Sequence, residues 1–191
     1  MKLVEVLLPV ASALLIYLLR FVELRTKRDT VPGRVRENMT LRLFVLCGVL
    51  MLGSSVAEFF LRGERLYGPN FLVGWLCAAG SFVIRRRAIA ALGRFWSLHV
   101  EIRENHQIVR TGPFRWVRHP TYFSMILELL SVGLILNALY SLLIIPVVFL
   151  PVLAWRVRIE EAALVEKFGD AYRDYQRTTP ALIPYKGPQS P

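Results

Sequence analysis

Residues 121–155, TYFSMILELLSVGLILNALYSLLIIPVVFLPVLAW, carry a single charged side chain, Glu128. A helix needs about 20 apolar residues to cross a hydrocarbon core of ~30 Å. This run is too long for one crossing and just long enough for two, since helix rises ~1.5 Å per residue. Asn137 lies near its middle, where a polar turn closes a helical hairpin. Pro146 and Pro151 are expected to kink the second arm.

Working outward, the same density of apolar residues recurs. The chain of 191 residues is 54% hydrophobic and 20% charged, with a mean hydropathy of +0.44. That balance excludes an ordinary soluble domain, a disordered chain and a coiled coil. Spans are expected at about 3–22, 41–61, 70–92, 120–137 and 138–156, within one integral-membrane domain over residues 1–191. Ala11-Ser12-Ala13 resembles a cleavage site, but the apolar run continues past it, so an uncleaved first span is expected. Residues 23–40 read as a polar loop with a turn at Pro32-Gly33, and residues 95–103 as a short strand or extended segment. In the tail, Leu164, Phe168, Tyr172 and Tyr175 share one helical face, with Glu, Lys, Asp and Arg between them. This is the pattern of an amphipathic helix at the membrane surface, interrupted near Gly169. The expected fold is therefore an all-α, multi-pass membrane protein of about five spans. A cytosolic segment and a C-terminal amphipathic helix complete it.

Charge orients the spans. The net charge of +10 comes from 24 Lys+Arg against 14 Asp+Glu. Counted between spans, Lys+Arg number seven over residues 20–42, two over 62–69, eight over 85–120, none at the Asn137 turn and six from Arg156 onward. The alternation fits five spans with the carboxyl terminus in the cytosol. It also explains the basic balance without a nucleic-acid partner, so membrane lipids are the expected surroundings. Cys47 and Cys77 lie within apolar runs without CxxC spacing, which argues against a zinc site or a disulfide. No metal is expected.

Two polar segments should then share the cytosolic face. In the first, His119-Pro120 marks a helix start, whose free backbone N–H groups favour an anion, with Tyr122 beside it. A capping histidine and an interfacial tyrosine would give the same pattern. In the second, Arg156 and Glu160 stand one turn apart and can pair or grip a ligand together. A membrane-edge arginine beside a solvated Glu160-Glu161 face would read the same way.

Together the segments form an ordered string, H-x-[LI]-V-x-x-G-x-[YF]-x-x-x-R-H-P-x-Y and then R-x-x-x-E-E-x-x-L-x-x-x-F-G-x-x-Y-x-x-Y. It runs here from His106 to Tyr122 and from Arg156 to Tyr175, over about the last hundred residues. This string resembles the isoprenylcysteine carboxyl methyltransferase family, with its related phospholipid methyltransferases. The resemblance implies a membrane methyltransferase that uses S-adenosylmethionine without a Rossmann glycine loop, and no G-x-G-x-x-G occurs. Carried over, the cofactor-binding residues are His106, Gln107, Ile108, Val109, Phe114, His119, Pro120, Thr121, Tyr122 and Glu160, with His99 as a further contact. Arg156 corresponds to the substrate-contacting arginine. Arg156 and Glu160 are thus the expected catalytic pair. Phe114 stands where tyrosine is common, and Ser124 where glycine is common.

The resemblance implies methyl transfer to a lipophilic or lipidated acceptor, the carboxylate of an isoprenylcysteine-like substrate first. Alternatives are O-, N- or S-methylation of a phospholipid amine, an alkyl phenol or pyrone, or a small thiol. A non-enzymatic scaffold or transporter is a remote third, since inverted repeats are absent. An anionic acceptor needs only alignment and exclusion of water. A neutral one also needs a base, for which both His119 and Glu161 qualify. The sequence does not set the oligomeric state.

Overall fold

The computed structural model describes residues 2–26, 33–37, 39–97, 100–103 and 107–188. Helices dominate: α1 (Lys2–Arg25), α2 (Met39–Leu61), α3 (Gly68–Leu92), α4 (Pro120–Ile135), α5 (Leu150–Phe168) and α6 (Asp170–Thr178). Two short strands, β1 (Gly33–Glu37) and β2 (Val100–Arg103), pair antiparallel, with Arg34 opposite Ile102 and an irregularity between Val35 and Glu37. The described chain divides into two compact units. One comprises Met1–Lys27, Phe44–Ser81 and Met125–Pro151; the other comprises Arg28–Leu43, Phe82–Ser124 and Val152–Pro191.

Among the described residues, three helical stretches are long and apolar enough to cross a membrane: Leu3–Arg25, Met39–Leu61 and Ser141–Phe168. α4 is apolar but only 16 residues long, and α3 carries Arg85, Arg86 and Arg87 near its end. Leu7, Leu14 and Leu18 on α1 are about half exposed or more. Such a face costs free energy in water and none in lipid. The protein is an integral membrane protein.

In the first unit the core is apolar: Ala13, Phe59, Val132, Leu136 and Ala138, flanked by Val6, Val10, Tyr17, Leu52 and Val56. α3 and α4 approach closely at Gly74, where a Cβ would lie 2.7 Å from the Ile135 side chain and 3.0 Å from the Ser131 carbonyl oxygen. The expected turn forms at Asn137, which adopts φ 50°. Its amide donates to Glu64 at 2.6 Å and accepts from Asn70 at 2.7 Å. Glu58 accepts from the Tyr140 and Ser141 backbone N–H groups, at 3.1 and 2.7 Å. It thereby caps the returning helix where its N–H groups have no intrahelical partner. Glu128, alone in its apolar run, lies 3.8 Å from Arg20, which also pairs with Glu23 at 2.9 Å.

Several expectations need correcting. The 23–40 segment is not only loop, because β1 lies within it and pairs with the extended segment containing β2. The helices are therefore accompanied by a two-stranded ribbon. Tail residues 157–168 form no separate helix; they continue α5 without a break, since nothing before Gly169 interrupts helical backbone. Gly169, at φ 56°, ends α5 in a conformation that favours glycine, and α6 follows. At Pro146 the disruption takes the form of a widened π turn over Ile145–Phe149. A proline without its N–H accommodates that turn readily.

Candidate active site

The site lies within the second unit and is built from the start of α4 and the polar half of α5. Pro120 opens α4, with its missing N–H at a position where no helical partner exists. The two residues before it are pinned from the tail: Arg118 N–H donates to the Pro180 carbonyl and His119 N–H to that of Ala181, both at 2.9 Å. α5 presents Glu160 one turn after Arg156, with Glu161 as the next residue. Arg156 is buried at 3% exposure. Its Nε donates to the Tyr122 hydroxyl at 3.0 Å, and its Nη1 to Thr40 Oγ1 at 2.9 Å. The Tyr122 hydroxyl in turn donates to Glu160 Oε2 at 2.5 Å. One phenol therefore joins the expected substrate arginine to the expected cofactor glutamate.

Burying charge costs several kcal/mol per ion unless partners replace water, and Glu161 shows how this unit meets that cost. Its carboxylate takes Arg118 Nε at 2.8 Å and Nη2 at 2.7 Å. It also lies 3.0 Å from His119 Nε2 and accepts from Gln176 Nε2 at 2.9 Å. The His119 ring stacks on Tyr122 with centroids 5.5 Å apart, and its Nδ1 is 3.8 Å from Glu160 Oε2. Arg118 Nη1 reaches the carbonyls of Gln176 and Thr179, so α6 is fastened to the same cluster. Tyr175 adds a bond from its hydroxyl to the Phe114 carbonyl at 2.6 Å, with Arg110 5.2 Å from its ring centroid. Burial pushes the phenols of Tyr172 and Tyr175 above their ordinary range, reinforced at Tyr172 by the charges of Glu161 and Glu160. Both therefore stay neutral, Tyr175 as a donor to Phe114 and Tyr172 as a packing group against the Tyr175 ring.

A cavity of about 370 Å³ opens between residues 91–95 and 107–111. Gln107, Ile108 and Val109 line it, together with Leu92, Arg94 and Phe95. The expected site residues thus fall into two groups. Gln107, Ile108 and Val109 belong to the cavity, whereas His119, Tyr122, Arg156 and Glu160 belong to the hydrogen-bonded cluster and do not line it. Phe114 and Pro120 are buried. Thr121 is half-buried, and its carbonyl accepts from Ser124 Oγ at 2.6 Å. His99 and His106 lie outside the described residues. Sequence reasoning missed Thr40, Arg94, Arg118 and Gln176, and named Glu161 only as a possible base. Arg118 and Glu161 are themselves positions of the quoted string and so are legible in the sequence. Thr40, 116 residues from Arg156, carried no signal. Among the described residues, no group of three or more His, Cys, Asp or Glu is placed to hold a metal ion.

Residues 73–166, which carry most of this cluster, match the isoprenylcysteine carboxyl methyltransferase (ICMT) family. The chain belongs to the ICMT family. It is 30% identical to the uncharacterized protein YpbQ of Bacillus subtilis over 62% of this chain and 70% of that one. It is 32% identical to a protein-S-isoprenylcysteine O-methyltransferase of Schizosaccharomyces pombe, over 59% of this chain and 48% of the relative. It is also 30% identical to the cobalt-zinc-cadmium resistance protein CzcN of Cupriavidus metallidurans, over 51% and 45%. The matches to the last two span about half of each relative's length. The two departures from the ICMT pattern are accommodated locally. Phe114 takes part through its backbone carbonyl, bound by Tyr175, while the buried Ser124 hydroxyl is satisfied by Thr121.

Proposed function

We propose that the chain transfers a methyl group from S-adenosylmethionine to a lipophilic acceptor, foremost the carboxylate of an isoprenylcysteine-like substrate. The observation that carries this reading is the Tyr122 hydroxyl held between Arg156 and Glu160, which joins both halves of the ICMT motif in one network. The residues present suit the cofactor. The cavity is within the ~300–1,000 Å³ of small-molecule sites. It offers apolar walls at Leu92, Phe95, Ile108 and Val109 for a base, the Gln107 amide for hydrogen bonding and Arg94 for a carboxylate. His119, Tyr122 and Glu160 do not line this cavity and would join the holding set where the cofactor extends beyond it to their cluster, with Glu160 matched to an ammonium group.

When bound, the cofactor supplies a methyl group already activated by its sulfonium, so the protein's task is alignment. Arg156 orients an anionic acceptor, because its planar guanidinium can make two parallel charge-assisted bonds to a carboxylate. Tyr122 and Thr40 hold that guanidinium in place, and burial keeps water from the reacting groups. O-, N- or S-methylation of a phenol, amine or thiol is the second reading, motivated by the partial coverage of the named methyltransferase.

Five spans with the site facing the cytosol complete the proposal, on the strength of the alternating Lys+Arg count. Cysteine tagging at Gly68 and Lys186 tests this topology; labelling of both from the same side removes the five-span arrangement. The activity is tested with purified full-length protein and labelled cofactor against a panel of prenylated acids, phenols, amines and thiols. Transfer to the acids is expected to dominate, and no transfer to any member sinks the proposal.

A further inference from the structure

We infer that Glu161 is a positioning residue that holds His119 in its Nε2–H tautomer, leaving Nδ1 as the proton acceptor of the site. Beside the Arg118 guanidinium, at 2.7 and 2.8 Å, the Glu161 carboxylate is ionised and can only accept hydrogen bonds. The His119 nitrogen that faces it at 3.0 Å must therefore carry a hydrogen. In its neutral form the imidazole has one N–H, so the lone pair is then on Nδ1. That atom is not consumed by Glu160, whose Oε2 is 3.8 Å away and already accepts from Tyr122 at 2.5 Å. Stacking on Tyr122 fixes the ring plane, and the bond from His119 N–H to the Ala181 carbonyl fixes its backbone. Glu161 receives donors from Arg118, His119 and Gln176, which leaves it ill suited to take a proton itself. Of the two residues chemically able to act as base, the geometry selects His119.

The use of that atom rests on the methyl-transfer reading; the tautomer does not. A proton-bearing acceptor X–H gives its proton to the Nδ1 lone pair, and the bonding electrons stay on X as the nucleophile. The imidazolium so formed is balanced by Glu161 at 3.0 Å and Glu160 at 3.8 Å. An ionised carboxylate needs no such step. The site is thereby fitted to phenols and thiols as well as to acids.

The test is nitrogen-15 NMR of the full-length, histidine-labelled protein in nanodiscs at neutral pH, with the His119 signals assigned from His119→Gln. The expected result is a protonated Nε2 and a bare Nδ1, with the tautomers mixed in Glu161→Gln. A His119 protonated on Nδ1, or on both nitrogens, overturns the inference even if Glu161→Gln fails to fold; so does a folded Glu161→Gln with an unchanged spectrum. With an alkyl phenol, Glu161→Gln is expected to lose at least tenfold more kcat than with a prenylated acid, KM changing little. Equal losses, or a parent that turns over acids but no phenol or thiol, overturn the proton-acceptor role. A parent that binds no cofactor sinks the methyl-transfer reading and the proton-acceptor role together, while the spectrum still decides the tautomer.

Discussion

The two compact units differ in how they hold their charged side chains. The first gathers Ala13, Phe59, Val132, Leu136 and Ala138, keeps Glu58, Glu64 and Asn137 at helix ends and turns, and buries one carboxylate, Glu128, near Arg20. The second buries Arg156 and His119 and meets their cost with hydroxyls, carboxylates and backbone carbonyls. Where only shape must be satisfied, apolar packing suffices. Where charge is buried, hydrogen-bonding partners hold it in place. Disturbing the first unit should therefore cost stability, and disturbing the second should cost activity.

The largest separation is expected at Arg156. Arg156→Ala should lower kcat/KM on the order of 100-fold or more, since truncating one member of a buried charged network costs about 2–5 kcal/mol. Cofactor affinity in the folded fraction should change by less than about threefold. Arg156→Lys keeps the charge but loses the fork, so it should restore activity only in part. An alanine variant with reduced thermal stability and activity proportional to folded protein would erase the contrast between the units. In the first unit, Gly74→Ala should cost about 1–3 kcal/mol by overpacking, because the backbone of Ile135 and Ser131 cannot give way. Thermal denaturation should report that loss while cofactor affinity is kept. A smaller effect is expected from Tyr122→Phe, which removes the hydroxyl between Arg156 and Glu160. Cofactor Kd measured by calorimetry should rise about tenfold, or ~1.4 kcal/mol. Smallest of all, the exposed Arg158→Ala should shift stability by less than ~0.5 kcal/mol and leave turnover unchanged. A large effect there would mean that charge in the second unit acts beyond its buried network.

How much was legible in the sequence follows the same division. Hydropathy exposes α1, α2 and the Asn137 hairpin, because a long apolar run has few other fates in water. His119-Pro120 locates the start of α4, since proline's missing N–H suits the first helical turn. Arg156 and Glu160 are visible as neighbours because one helical turn separates them. β1 is not, because Gly33–Glu37, GRVRE, lacks an extended apolar alternation and its partner lies more than sixty residues away. Thr40 and Gln176 are equally hidden: their roles depend on chain distant from them, and neither carries a local signature.

The fastening of Arg118 has a consequence for biosynthesis. Its carboxylate partner lies 43 residues downstream and its carbonyl partners 58 and 61 residues downstream. At a translation rate of ~5–20 residues per second, roughly 3–12 seconds pass between the addition of Arg118 and that of Thr179. During that interval the arginine and the adjacent His119 emerge without the groups that later neutralise and anchor them. The apolar hairpin is made within the same interval, so the apolar segments are synthesised before the polar centre can be completed. A ribosome stalled before Thr179 leaves a polypeptide whose long apolar helices are already made and whose Arg118 lacks one of its carbonyl anchors.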